Sequence, residues 1–196
     1  MPVRAARIVV LASGSGSTLQ AVIDAAAHPG FGADVVAAGS DVADAQAVSR
    51  AADAGIKTFI VALADFPDRT AWNVALADAI AAHEPDLVVL AGFMRVLGPE
   101  VVSRFRIVNT HPALLPAFPG AHALRDALAA GATSTGVTVH WVDQGIDTGP
   151  VIAQIVVPIQ PGEDEDSLRL RVQAVEKPLY VQAIQSLCAD IGENAE

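Results

Sequence analysis

The stretch RIVVLASGSGSTLQAVIDA, residues 7–25, decides the fold. Its opening, Arg7 to Ala12, is short and apolar enough to be a buried strand. Its close carries Leu19, Val22 and Ile23 on one face, which predicts a helix over 18–27. Between them runs Ser13-Gly14-Ser15-Gly16-Ser17-Thr18. Glycines let a chain turn tightly and approach a ligand closely. The backbone N–H groups at the start of the following helix would then favour an anion. The loop suits a phosphate. It equally serves as a tight strand-to-helix turn with no ligand. A dinucleotide fingerprint would need a third glycine where Leu19 stands. Asp41 is placed to imitate that fingerprint's ribose-binding acid, so the loop alone does not exclude NAD. No lysine follows the glycines, so it is not a Walker loop.

Working outward, further buried strands are expected over 34–38, 57–61 and 86–91. Helical patterns separate them, over 43–54 with Gly55 as its stop, and over 68–84 with Asp68 as its cap. The second of these spaces Trp72, Leu76, Ile80 and His83 three to four residues apart. Strands alternating with helices imply a parallel sheet with helices on both faces, the first half of a nucleotide-type fold.

The second half is less regular. A short helix opens at Pro99 and Glu100, and a strand covers 107–109. A proline-rich loop runs from Thr110 to Gly120, and a helix from Ala121 to Ala130 is closed by Gly131. Strands follow over 137–142 and 151–157. Asp164 or Asp166 caps a last helix with Leu168, Val172, Val175 and Leu179 inward, and only the tail after Gly192 reads as frayed. The expectation is a single α/β domain over 1–196, with a nucleotide-binding half near 7–100 and a catalytic half near 101–190. Its mostly parallel twisted sheet would have about seven strands.

Composition narrows the function. A formal net charge of −10 argues against nucleic acid as a partner, because phosphate backbones call for a basic surface. A small anionic substrate needs only a locally positive pocket. The longest apolar run, Leu87 to Met94, is too short to span a bilayer, and no signal peptide is evident, so the cytoplasm is expected. Cys188 is the one cysteine and reads as a buried spectator. His28, His83, His122 and His140 lack metal-ligand spacing; His83 and His140 read as core or edge residues, and no metal is expected.

Two loops carry candidate chemistry. In Asn109-Thr110-His111-Pro112 the amide and imidazole are two residues apart, so in an extended chain both face one side and can address one oxygen. Asp147 lies in the second loop, Asp143-Gln144-Gly145-Ile146-Asp147-Thr148-Gly149-Pro150. If that loop folds toward His111, its carboxylate favours the protonated imidazole. Taken locally, His111 and Asp147 are more often satisfied loop or turn residues than catalytic ones.

The stretches VVLASGSGSTLQAVIDA, PDLVVLAGFMRVLGPE, VNTHPALLPAFPGAH, GVTVHWVDQGIDTGPVIAQIVVPI and RVQAVEKPLY decide between these readings. With them the chain resembles the folate-dependent glycinamide ribonucleotide transformylase family, from residue 9 to residue 180. The resemblance implies formyl transfer from 10-formyltetrahydrofolate to the amine of glycinamide ribonucleotide. It puts Asn109, His111 and Asp147 at the catalytic positions. It gives the ribonucleotide to Gly14, Gly16, Ser17 and Thr18 of the first loop and to Gln173 and Glu176 of the last helix. It gives the folate to Arg69, Met94, Arg95, Val96 and Leu97, to Asn109, and to Asp143, Gln144, Gly145, Ile146 and Asp147. Partners are then small molecules, and the protein a monomer or homodimer.

The chain departs from the family pattern at Ser15 and Thr18, where asparagine is common, and at Lys177, where histidine is usual. The segment from Ser103 to Ile107 is about two residues short of many relatives. Rival readings are a formyltetrahydrofolate deformylase, a methionyl-tRNA formyltransferase and a nucleotide-binding module without activity. The first usually carries a regulatory domain before the fold, and the second a further domain and a basic surface. The third leaves both polar loops unexplained.

Overall fold

The computed structural model describes residues 4–193; the end of the tail expected to fray lies outside the described residues. Seven strands form one sheet in the order β3-β2-β1-β4-β5-β6-β7. They are β1 (Ala6–Leu11), β2 (Ala33–Ser40), β3 (Lys57–Ile60), β4 (Leu87–Leu90), β5 (Ile107–His111), β6 (Ser134–Trp141) and β7 (Val151–Pro158). The helices are α1 (Ser17–Ala26), α2 (Gln46–Asp53), α3 (Arg69–Ala81), α4 (Pro99–Val102), α5 (Ala123–Ala129) and α6 (Glu165–Glu193). Among the described residues no helix is long and apolar enough to cross a membrane. The chain divides into two compact units, residues 1–108 with 184–196, and 109–183.

The first unit is the parallel α/β half that the sequence predicts. β1 pairs in parallel with β2 and β4, and β2 in parallel with β3. All four residues of β4 are buried, as an uninterrupted apolar run requires of a central parallel strand. The Asp68 carboxylate caps α3 by accepting the Ala71 N–H at 2.8 Å. Trp72, Leu76 and Ile80 of α3 are buried, and the Trp72 indole donates to the Val61 carbonyl at 2.8 Å. His83 lies beyond the end of the helix and stacks on Phe59, with ring centroids 5.4 Å apart. α2 starts three residues later than the pattern predicts, because Ala45 N–H first closes a turn onto Val42. It stops at Gly55, whose φ of 72° is the left-handed geometry of a helix C-terminus.

In the second unit β6 and β7 are antiparallel. Leu124, Val137, Val157, Leu168 and Val172 form its core, with Val175 and Leu179 packed against them. The expected inward face of the last helix is therefore correct. Asp164, not Asp166, is the cap: its carboxylate accepts the Ser167 N–H at 2.8 Å. α6 runs on through Pro178, which the sequence reading did not single out. β5 is longer than expected. His111 lies within the strand rather than in the loop after it, and Asn109 lies within it as expected, so extended backbone sets their common direction.

Candidate functional site

The proline-rich segment after β5 is fixed chiefly by hydrogen bonds from β6 and β7. The Thr138 hydroxyl donates to the Ala113 carbonyl at 2.6 Å and accepts the Leu115 N–H at 3.0 Å. The Gln154 amide of β7 donates to the Leu115 carbonyl at 3.0 Å and to the Thr138 hydroxyl at 2.8 Å. The second loop is held just as closely. Any side chain at Gly149 would collide with the Trp141 carbonyl, so glycine is required beside β6. Both loops are thus braced from the sheet, as a preorganised site demands.

These braces bring Asp147 to His111. The Asp147 carboxylate Oδ2 lies 3.3 Å from His111 Nδ1 and accepts the Gly120 N–H at 2.8 Å. His111 is buried, and its Nε2 lies 2.8 Å from the Phe118 carbonyl oxygen. Oxygen atoms thus lie near both ring nitrogens. Asp147 itself has φ 56°, a left-handed geometry that aspartate tolerates better than most residues. The pairing that the sequence could offer only conditionally is present.

A fourth residue joins them. His140 on β6 is 2% exposed, and its Nδ1 lies 2.9 Å from the Trp141 carbonyl oxygen. With Nδ1–H donated there, Nε2 is an acceptor, and the Asn109 amide nitrogen lies 3.4 Å from it. His140 Nε2 is also 3.6 Å from Asp147 Oδ1. The bland core role expected for His140 is therefore incomplete, since its polar edge faces the candidate trio. The missed signal was alternation. Val137 and Val139 pack in the core while Thr138 and His140 point the other way, also buried. A buried polar face on an apolar strand marks a site.

Beside Asp147 opens a cleft of about 260 Å³ with apolar walls from Leu115, Pro116, Pro119, Ile146 and Val151. Ile146 is 56% exposed, available to a flat apolar ligand. Asp143 takes no part in the trio. The Thr148 hydroxyl, and then the Gly145 N–H, hold its carboxyl below the ordinary value, and the same bonds shape the loop. Gln144 and Gly145 are exposed at the loop's tip. On α6, Gln173 is exposed and Glu176 half-buried, and burial pushes the Glu176 carboxyl above its ordinary value.

The remaining candidates lie in the first unit. Gly16 has φ 69° and precedes α1 without any side-chain cap, and a Cβ there would come within 2.6 Å of Ala47 Cα. Gly14, Ser17 and Thr18 flank it, with Gly14 exposed. The loop's carbonyls are drawn back toward α2: Ala47 N–H donates to Gly14 at 3.0 Å and Arg50 Nε to Ser15 at 2.8 Å. Met94 and Val96 are 75% and 54% exposed, Leu97 is buried, and Arg69 donates to the Val96 carbonyl. Asp41, which is placed like the acid of a dinucleotide fingerprint, pairs instead with an arginine of its own chain. It is buried and bonded to Arg95 at 2.6 Å. Among the described residues no group of three or more His, Cys, Asp or Glu side chains is arranged to hold a metal.

Residues 6–184 match the family model described as formyl transferase. The chain belongs to the formyl transferase family. It is similar to the phosphoribosylglycinamide formyltransferase of Mycobacterium tuberculosis, 54% identical over 188 residues, which cover 95% of this chain and 86% of that one. The Escherichia coli protein of the same name is 45% identical over 175 residues, 88% of this chain and 82% of that one. Among solved structures, glycinamide ribonucleotide transformylase 1 from Symbiobacterium toebii superposes with a TM-score of 0.93 at 41% identity, covering 97% of this chain and 90% of that one. As a formyl transferase, the chain has the mostly parallel seven-stranded α/β fold of these structures.

Proposed function

We propose that this formyl transferase moves a formyl group from 10-formyltetrahydrofolate to the amine of 5'-phosphoribosylglycinamide, giving formylglycinamide ribonucleotide and tetrahydrofolate. The observation that carries the reading is the buried His111, paired with Asp147 and sharing one strand with Asn109.

The amine lone pair attacks the formyl carbon, and the carbonyl π electrons move onto oxygen. The tetrahedral oxyanion needs donors. Asn109 supplies one from its amide nitrogen, which lies 3.4 Å from His140 Nε2. His111 supplies the second through the Nε2–H that Phe118 now accepts, so the substrate oxygen takes the place of that carbonyl. Donors of this kind contribute about 3–4 kcal/mol each. Asp147 keeps the imidazole cationic. The amine's proton then reaches the folate nitrogen, by way of His111 and water, as the carbon–nitrogen bond to folate breaks and the carbonyl reforms.

The ribonucleotide phosphate is assigned to the N–H groups of Gly14 to Thr18, and its ribose and glycinamide to Gln173 and Glu176. The pterin is assigned to the segment from Met94 to Leu97 and to the Asp143–Asp147 loop. A cytoplasmic protein acting on small molecules fits the acidic composition. The test is direct. Purified protein with both substrates yields formylglycinamide ribonucleotide in step with tetrahydrofolate. Formate released to water, with no ribonucleotide product, refutes the transfer and points to deformylation.

A further inference from the structure

Asp41 is the buried acid that the proposed chemistry leaves unused. It directly follows β2, and its side chain is 2% exposed. Oδ2 accepts Arg95 Nε at 2.6 Å, while Oδ1 is buried with no hydrogen-bond partner among the described residues. A half-satisfied buried carboxylate is costly. Breaches of this kind concentrate where function repays them.

Arg95 sits in a segment pinned at successive points. The Met94 N–H donates to the Ser13 hydroxyl at 2.8 Å, and Arg69 holds the Val96 carbonyl. The Gly98 N–H donates to the Asn73 carbonyl oxygen at 2.9 Å, and Asn73 is itself buried. The backbone is fixed while Met94 and Val96 project into solvent, which is the build of a preformed binding surface. Among these pins only Asp41 fixes a long, rotamer-rich side chain by charge. Arg95 remains 38% exposed while its Nε is anchored, which leaves part of the guanidinium side chain accessible.

We propose that Asp41 is a positioning residue for the formylfolate, holding Arg95 in its binding orientation before folate arrives. The inference rests on assigning Met94 to Leu97 to folate. It places the effect on folate affinity and not on turnover or on the ribonucleotide.

The experiment compares wild type, Asp41→Asn, Arg95→Gln and the double variant in steady-state transfer, with formylfolate binding followed by calorimetry. In Asp41→Asn the folate KM and Kd rise about tenfold, the size expected when one long side chain must be ordered during binding. Its kcat at saturation and ribonucleotide KM hold, and the double variant is no worse than Arg95→Gln. Unchanged folate affinity with only a lower Tm assigns Asp41 a structural role and overturns the proposal. A raised ribonucleotide KM instead assigns Asp41 to the ribonucleotide side and also overturns it. If Asp41→Asn does not fold, Asp41→Ser, which is smaller and neutral, is read the same way. Wild type that binds no folate defeats the site assignment itself, separately from Asp41.

Discussion

Asp147→Asn isolates the electrostatic part of the mechanism. Asparagine keeps the size of the side chain, tolerates the left-handed backbone at 147 and retains an oxygen for the Gly120 N–H. What it loses is charge. At an effective dielectric constant of about 20, opposite unit charges 3.3 Å apart attract by about 5 kcal/mol. That is a ceiling, because water and neighbouring dipoles recover part of it when the carboxylate is gone. If about 3–4 kcal/mol persists in the transition state, kcat falls roughly 100- to 1000-fold. The assay is steady-state formyl transfer at saturating substrates, with ribonucleotide binding and Tm measured alongside. Ribonucleotide binding stays near wild type because its phosphate is assigned to Gly14 to Thr18, and Tm verifies that the variant is folded. A kcat within about fivefold of wild type, in a folded variant, refutes Asp147 as the support of a cationic His111.

Gly16→Val forces a β-branched residue into a left-handed position and against Ala47, so the ribonucleotide KM rises sharply while folate binding holds; an intact ribonucleotide KM contradicts phosphate binding at this loop. Burial raises the Glu176 carboxyl, so the folded state holds that proton more tightly than the unfolded state. Stability therefore falls as pH rises from the ordinary carboxyl value through the raised one. Glu176→Gln should raise Tm at pH 7 and leave it nearly unchanged at about pH 4, below both values; equal gains at the two pH values would count against this. Burial pushes the Cys188 thiol up to about 12, with Asp86 adding to the shift. A disulfide reagent at pH 8 should label it only after unfolding, and rapid stoichiometric labelling of native protein would contradict its burial.

The parallel half was legible because its signals are local. A glycine turn after an apolar run, a capping aspartate before Trp72 and a glycine stop at 55 each act within a few residues. What escaped depends on partners far along the chain. Nothing near Asp41 announces Arg95, 54 positions away, so its fingerprint-like position suggested ribose instead. His140 escaped for a related reason, since its meaning comes from Asn109 and Asp147 on other segments. The choice between Asp164 and Asp166 turned on which carboxylate reaches an N–H three residues on, which spacing alone left tied. The family resemblance named the trio, but not how Thr138 and Gln154 brace it.

The backbone at Asp147 also limits what selection can do there. Its φ of 56° disfavours any β-branched or bulky side chain, whatever its chemistry. Glutamate preserves the charge but meets a strained backbone with a longer arm. Glycine and asparagine relax the backbone but lack the charge. Aspartate alone meets both demands, so mutational drift at this position has no neutral neighbour. A saturation library selected for growth on this activity would return the parental codon family, while one selected only for folded protein would return Asp, Asn and Gly together.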